Sequence, residues 1–194
     1  MQKKLVFEFK RKFFHLFSLL YILAYFLLAK SFNHKTAIIV FVILLIVFIL
    51  AEFSRLKLKK KLPLFDLLGR ENEKNKVAGY VWFLAGVTIV FAFFDFNIAV
   101  AALLMTTFGD MSAALFGIAF GKHWLKWPPQ TAWEGIIAQF VVDLIIGFIF
   151  INTWWIVVAM AFVATLAETF LIKIDDNFSI PVLGGLVAHL LSSI

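Results

Sequence analysis

Ile98-Ala-Val-Ala-Ala-Leu-Leu-Met-Thr-Thr-Phe-Gly-Asp-Met-Ser-Ala-Ala-Leu-Phe-Gly-Ile-Ala-Phe120 holds a single formal charge, Asp110, in 23 residues. At helical rise such a run reaches about 34 Å, enough to cross a bilayer. A carboxylate near the middle of a span costs at least ~2.5–3.5 kcal/mol on insertion scales, so it faces a cavity, a partner or a ligand rather than lipid. Asp110 therefore marks a bundle with a polar interior.

The rest of the chain agrees with that reading. It is 63% hydrophobic and 15% charged, with a mean hydropathy of +0.97. Soluble domains hold roughly 45–50% apolar residues. The composition predicts an all-α integral membrane protein, a single membrane-embedded domain over residues 1–194. Cysteine is absent, which removes disulfides, thiolate metal sites and thiol nucleophiles. The four histidines are unpaired, which argues against zinc. The net charge of +6 does not indicate nucleic acid, because the basic residues cluster at the ends of apolar runs, where they orient spans.

Seven apolar segments can be marked, near 13–29, 36–52, 79–94, 98–120, 135–151, 154–172 and 180–193. The last is short and reads as a span or a re-entrant piece. With the N-terminus in the cytoplasm, 16 of the 18 basic residues fall on cytoplasmic pieces, and only Lys30 and Lys35 fall outside. The positive-inside rule thus predicts about seven transmembrane helices, a cytoplasmic N-terminus and long inner loops that carry the polar chemistry. The expected location is a membrane crossed many times, the cell membrane if the source is prokaryotic. The sequence leaves a homo-oligomer open.

Several polar groups need a reason. Gly109, Ala113, Gly117 and Gly121 recur four apart on one helix face, a stripe that admits a close helix neighbour and sets Asp110 beside the contact. Asp143 lies midway through the fifth segment with Gln139 one turn earlier, and reads best as a buried structural carboxyl. Glu168 closes the sixth segment, and Asp175-Asp176-Asn177 opens the last inner loop. Glu8, Arg11, Lys12 and His15 share one side of the first helix, and Glu52 with Arg55 repeats the pattern. Those two groups read equally as interfacial ion pairs or as functional residues. Asp110, Asp175 and Asp176 near one membrane face point to a divalent cation. Mg²⁺ fits, since it takes oxygen ligands and often uses one or two carboxylates plus substrate phosphates. The loop from Gly121 to Gly135 adds Lys122 and Lys126 for an anionic substrate. It is not a P-loop, lacking the GxxxxGK[ST] pattern.

In order, Glu8-x-x-Arg11-Lys12-x-x-His15, Arg70-x-x-Glu73, Gly109-Asp110-x-x-Ala113 with Gly117 and Gly121, Glu134-Gly135, and Glu168 before Asp175-Asp176-Asn177 and Pro181 resemble the dolichol kinase, phytol kinase and CTP-dependent diacylglycerol kinase family. One departure stands out. The family usually reads Lys-Ser/Thr-x-Glu-Gly before the fifth helix, where this chain has Thr131-Ala132-Trp133-Glu134-Gly135.

The resemblance implies an active site at the cytoplasmic face. There the γ-phosphoryl group of a nucleoside triphosphate, CTP by resemblance, passes to the hydroxyl of a membrane lipid alcohol: a polyprenol or dolichol, phytol or geranylgeraniol, or diacylglycerol. Asp110, Asp175 and Asp176 would hold Mg²⁺ on the triphosphate, with Asn177 assisting. Lys122 and Lys126, joined by Arg11, Lys12, Thr131 and Glu134, would form the nucleotide site. Glu168, or else His15, would orient or deprotonate the acceptor hydroxyl, and the roles of Asp110 and Glu168 can be exchanged. Glu8, Arg70, Glu73, Gly109, Gly117, Gly121 and Gly135 would support the site. Two other readings remain: a lipid cytidylyltransferase that forms a CDP-lipid, and a small ion-coupled transporter using Asp110, Asp143 and Glu168.

Overall fold

Alternation of apolar runs with short polar breaks produces an all-helical chain. A computed structural model describes residues 19–58, 76–129, 131–171 and 174–194. Among these the helices are α1 (Leu19–Ser31), α2 (His34–Leu58), α3 (Gly79–Phe93), α4 (Phe96–Phe120), α5 (Trp133–Phe150), α6 (Trp154–Phe170) and α7 (Asp176–Ser192). By length and composition α2, α4 and α5 can each cross a membrane, and α1, α3 and α6 are shorter apolar helices. Ile43, Ile46 and Leu50 on α2 and Ile137, Ile145 and Ile149 on α5 are large, apolar and exposed. An apolar exterior of this kind belongs against lipid, which marks a membrane protein.

Two departures from the sequence expectation bear on the site. The seventh helix begins at Asp176 rather than near 180, because Asp175 caps it: its side chain accepts the Asn177 backbone N–H. Hydropathy alone starts the helix only where the polar cap ends. Within α4, residues Met105–Gly109 form a π-helical turn directly before Asp110. Thr106 and Thr107 lie within this turn and donate their hydroxyls to the carbonyls of Ala102 and Leu103, at 2.8 and 2.9 Å.

The contacts fix the packing directions. Gly147 of α5 lies against Met105, Gly109 against Asp143, and Gly135 against Ala113 and Gly117, so α4 and α5 are antiparallel. Met160 and Ala164 of α6 meet Gly184 of α7. By contrast α3 and α7 run parallel: Trp82 meets Phe178, Gly86 meets Asn177 and Pro181, and Phe94 meets Gly185 and His189.

Two apolar cores result. One joins α4 to α7 through Met105, Ile146, Val157, Met160 and Ile180. The other joins α1, α2 and α3 to the start of α4 through Phe41, Leu84, Val87, Phe91 and Leu103. Tyr25 anchors the second core. Its ring stacks on Phe91 with centroids 3.7 Å apart, and its hydroxyl meets His34 Nδ1 at 2.6 Å across the α1–α2 turn.

Glu52 ties α2 to α3. It is only 2% exposed, yet every side-chain oxygen is used. Arg55 Nε donates to Oε2 at 2.9 Å, Tyr80 Oη donates to Oε2 at 2.7 Å, and the Ala78 N–H donates to Oε1 at 2.8 Å. Arg55 also reaches the Lys76 carbonyl at 2.8 Å. Of the two readings left open for Glu52 and Arg55, the structural one accounts for all of these contacts. Glu52→Ala strands the Arg55 guanidinium and two further donors. The expected loss is about 2–4 kcal/mol, below the value for a fully buried pair because Arg55 keeps some exposure. Denaturant unfolding in micelles measures it, and a change under about 0.5 kcal/mol would contradict this account.

Candidate active site

The candidate site grows from the buried faces of four helices. The residues of α5 that are buried are Gly135, Gln139, Asp143, Ile146 and Gly147, a stripe at helical spacing. Its inner half is polar or glycine while its lipid-facing side is Ile and Phe, so α5 carries its polarity inward. The stripe meets the small-residue face of α4. A Cβ on Gly135 would stand 2.5 Å from the Ala113 carbonyl oxygen, and one on Gly117 3.8 Å from Gly135 Cα. The helix backbones touch because neither position has a side chain. The stripe thus meets a close helix neighbour as its spacing predicts, Gly135 being the residue that sits on Gly117, and Gly121 packs under Trp124 and Ala132.

Asp110 follows the π-turn and is 4% exposed. Gln139 and Asp143 are fully buried. Asp143 Oδ2 accepts a long, 3.4 Å hydrogen bond from Thr165 Oγ1 of α6. Glu168 lies near enough to Asp143 for their charges to interact. Thr169 of α6 and Ser179 of α7 are also buried, with hydroxyls lacking partners among the described residues. A polar layer therefore runs through α4–α7. Beyond it Met105, Ile146, Val157 and Met160 close the opposite half with apolar packing.

At one end of this layer the α4–α5 connection folds into a small hairpin. Leu125 N–H donates to the Thr131 carbonyl at 2.8 Å and Trp133 N–H to the His123 carbonyl at 3.0 Å. Glu134 pairs with His123 Nδ1 at 2.7 Å and lies 3.3 Å from the His123 backbone nitrogen. Its carboxylate is thus committed to holding the hairpin, a partnership that spacing did not reveal. Lys122 and Lys126 are exposed on the hairpin, and Thr131 contributes its carbonyl to it. An open cavity of about 520 Å³ lies beside it, lined by Ile118, Ala119, Phe120, Gly121, Lys122 and Glu134.

The turn into α7 holds the other acidic pair. Asn177 donates its backbone N–H to Asp175 Oδ1 and Asp176 Oδ1, at 3.1 and 2.9 Å, and its amide to Asp175 Oδ1 at 2.8 Å. Burial first, and repulsion from Asp176 second, push the Asp175 carboxyl up to about 6. Two close carboxylates that resist joint ionisation are relieved by a cation. Among the described residues no group of three or more His, Asp or Glu is placed to hold a metal by itself. The oxygen pair Asp175–Asp176 fits a Mg²⁺ whose remaining ligands come from a triphosphate. Glu8, Arg11, Lys12, His15, Arg70 and Glu73 lie outside the described residues.

With this geometry in place, the comparisons with known proteins bear on its use. The chain is 26% identical over 156 residues to CTP-dependent diacylglycerol kinase 1 of Schizosaccharomyces pombe, covering 72% of this chain and 70% of that protein. It is 25% identical to CTP-dependent diacylglycerol kinase 1 of Saccharomyces cerevisiae, covering 92% of this chain and 71% of the yeast protein. The chain is similar to the CTP-dependent diacylglycerol kinases. The protein of the same name from Eremothecium gossypii matches at 27%, over 63% of this chain, and there the match spans about half of the longer relative, 47%. No family model matches the chain, and no solved structure matches it significantly. The likeness read from the ordered motifs is thus matched by similarity to these kinases over 63% to 92% of the chain.

The hairpin depends on one largely exposed contact, that of Glu134 with His123. Glu134→Ala removes the clasp on His123, and protease cleavage between residues 122 and 132 is expected to quicken several-fold with the helical content unchanged. Limited proteolysis beside circular dichroism checks it; equal cleavage rates would mean the clasp is dispensable.

Proposed function

We propose that this protein is a CTP-dependent lipid kinase, a phosphotransferase acting at the cytoplasmic face of a membrane it crosses about seven times. The observation that carries the reading is Asp110, buried behind a π-turn in a polar interhelical layer, in a chain similar to CTP-dependent diacylglycerol kinases. The balanced reaction is CTP plus a lipid alcohol giving CDP plus the lipid phosphate. The names of the relatives favour diacylglycerol as acceptor over polyprenols or phytol.

Phosphoryl transfer demands in-line positioning and charge neutralisation more than covalent assistance. Asp175 and Asp176 are the residues that would hold Mg²⁺, which would supply positive charge to the phosphates; Asp110 does not form a three-carboxylate metal group with them among the described residues and is assigned to the buried end of the site. Lys122 and Lys126 sit on the hairpin where they can neutralise phosphate oxygens. Glu168 is the group assigned to orient the acceptor hydroxyl or take its proton. The transporter alternative has little support: the apolar packing of Met105, Ile146, Val157 and Met160 leaves no polar path through the far half of α4–α7 among the described residues.

The test is transfer from γ-labelled CTP and ATP to diacylglycerol, a polyprenol, phytol and geranylgeraniol. Lipid phosphate and CDP are the expected products; CDP-lipid and pyrophosphate would establish a cytidylyltransferase instead. Asp110→Asn is expected to lose at least about 100-fold in kcat, with folding intact, as for removal of one preorganised charge-stabilising group. Activity of that variant near the native level would remove Asp110 from the site.

The Asp175 carboxyl adds a pH signature. Its pKa is raised, so below about 6 it carries a proton that a cation must displace. In the same range the folded chain binds more protons than the unfolded one, and stability falls as pH rises toward 6. The apparent affinity for Mg²⁺ is therefore expected to weaken as pH falls below about 6, with a one-proton slope that Asp175→Asn abolishes. Mg²⁺ titrations of the rate between pH 5 and 8 measure this.

A further inference from the structure

The proposed reaction gives no task to Asp143, the most fully buried carboxyl of α5. Its Oδ1 has no hydrogen-bond partner among the described residues, and its Oδ2 takes a long bond from Thr165, with the Gln139 amide also acting on the carboxyl. A buried carboxyl so poorly matched is costly, and such groups persist where another requirement holds them. What Oδ1 faces is Gly109. A Cβ on Gly109 would stand 2.3 Å from that oxygen, so the carboxyl occupies the space a side chain would take.

Gly109 is also the last residue of the π-turn, and Asp110 comes next. A π-turn inserts an extra residue into the helix, which rotates the side chains beyond it by about 100° relative to those before. The direction of Asp110 around the α4 axis thus depends on that turn persisting. Two independent features converge on one spot: a notch with no side chain, and an otherwise unmatched oxygen filling it.

We propose that Asp143 is a positioning residue for Asp110: its carboxyl seats in the Gly109 notch and holds the π-turn that aims Asp110. The inference rests on the kinase reading for its effect on rate, but the geometry it asserts stands without that reading. Gln139, one turn earlier in the same buried stripe, and Glu168, within charge range of Asp143, place groups of α5 and α6 around the same contact.

The experiment compares wild type with Asp143→Asn, Asp143→Ala, Gly109→Ala and the double variant Gly109→Ala/Asp143→Ala in micelles. Asp143→Asn keeps an oxygen in the notch and is expected to hold kcat within about fivefold. Asp143→Ala and Gly109→Ala are each expected to lose at least tenfold in kcat while KM for CTP moves less than threefold. The double variant relieves the clash yet stays slow, because the filling group is gone. A purely structural Asp143 predicts the reverse, with the double variant regaining the native rate.

A second readout does not require activity. Modification of Asp110 by a hydrophobic carbodiimide, mapped by peptide mass, is expected to change at least threefold in Asp143→Ala and Gly109→Ala but not in the lipid-facing control Ile137→Ala. If wild type phosphorylates no lipid, the kinase reading fails, and the carbodiimide rates still decide the positioning claim. Unchanged Asp110 modification, or an Asp143→Ala rate within twofold of native, overturns it. If Asp143→Ala does not fold, Gly109→Ala and Asp143→Asn decide by the same two measurements.

Discussion

The backbone contact between α4 and α5 governs the rest of the molecule. Within lipid there is no hydrophobic gain from bringing two helices together, so association depends on close van der Waals fit and on polar contacts. Gly135 against Ala113 and Gly117 provides the fit. The same approach removes lipid from the inner faces of both helices, and this is why Asp110, Gln139 and Asp143 are almost wholly buried in an apolar chain. A side chain at Gly135 would separate the helices and expose those groups to hydrocarbon. Close packing and polar burial are one constraint seen from two sides.

Around that contact the two cores divide the work. The aromatic core of α1–α3, stapled by Tyr25 on Phe91 and by the saturated Glu52 carboxylate, contributes rigidity. The α4–α7 core holds the polar layer. They are joined where α3 and α7 run parallel: Gly86 admits the Asn177 carbonyl oxygen and Pro181 so closely that a Cβ would stand 3.0 and 3.1 Å away. The acidic turn Asp175-Asp176-Asn177 is therefore braced by the scaffold core although its chemistry belongs to the other. Under the kinase reading, that support would keep the Asp175 and Asp176 carboxylates in place for the cation they would hold.

Much of this was legible in the chain because membrane residence makes hydropathy informative. The apolar runs located the helices, and the four-residue spacing of Gly109, Ala113, Gly117 and Gly121 announced a close helix neighbour. Spacing cannot reveal which neighbour: that Gly135 sits on Gly117, or that Asp143 fills Gly109, follows from the antiparallel register of α4 and α5. The π-turn was hidden for a related reason. Met105-Thr-Thr-Phe-Gly109 has the hydropathy of any helix, and an extra residue per turn leaves no mark on composition. The start of α7 was misplaced because hydropathy ignores capping. The spacing of Gln139 and Asp143 correctly indicates a buried carboxyl beside its own-helix partner, whereas the contact with Gly109 comes from another helix and leaves no mark on spacing.

Depth decides how the proposed substrates must meet. Asp110 lies ten residues inside the Phe120 end of α4, about 15 Å along the axis. A triphosphate reaching that level from water needs cationic guidance at the rim, and Lys122 and Lys126 stand there. A lipid alcohol comes from the side and needs an apolar passage ending in polar groups. The cavity at the end of α4 has both characters, since its lining includes Ile118, Ala119 and Phe120 as well as Lys122 and Glu134. Under the kinase reading, donor and acceptor converge at this boundary between apolar and charged surface, and the buried carboxylates behind it receive the reacting groups away from bulk water. Exclusion of water matters because it would compete with the lipid hydroxyl for the same phosphoryl group. The apolar packing beyond the polar layer, which denies a path through the bundle, is what gives the site a floor.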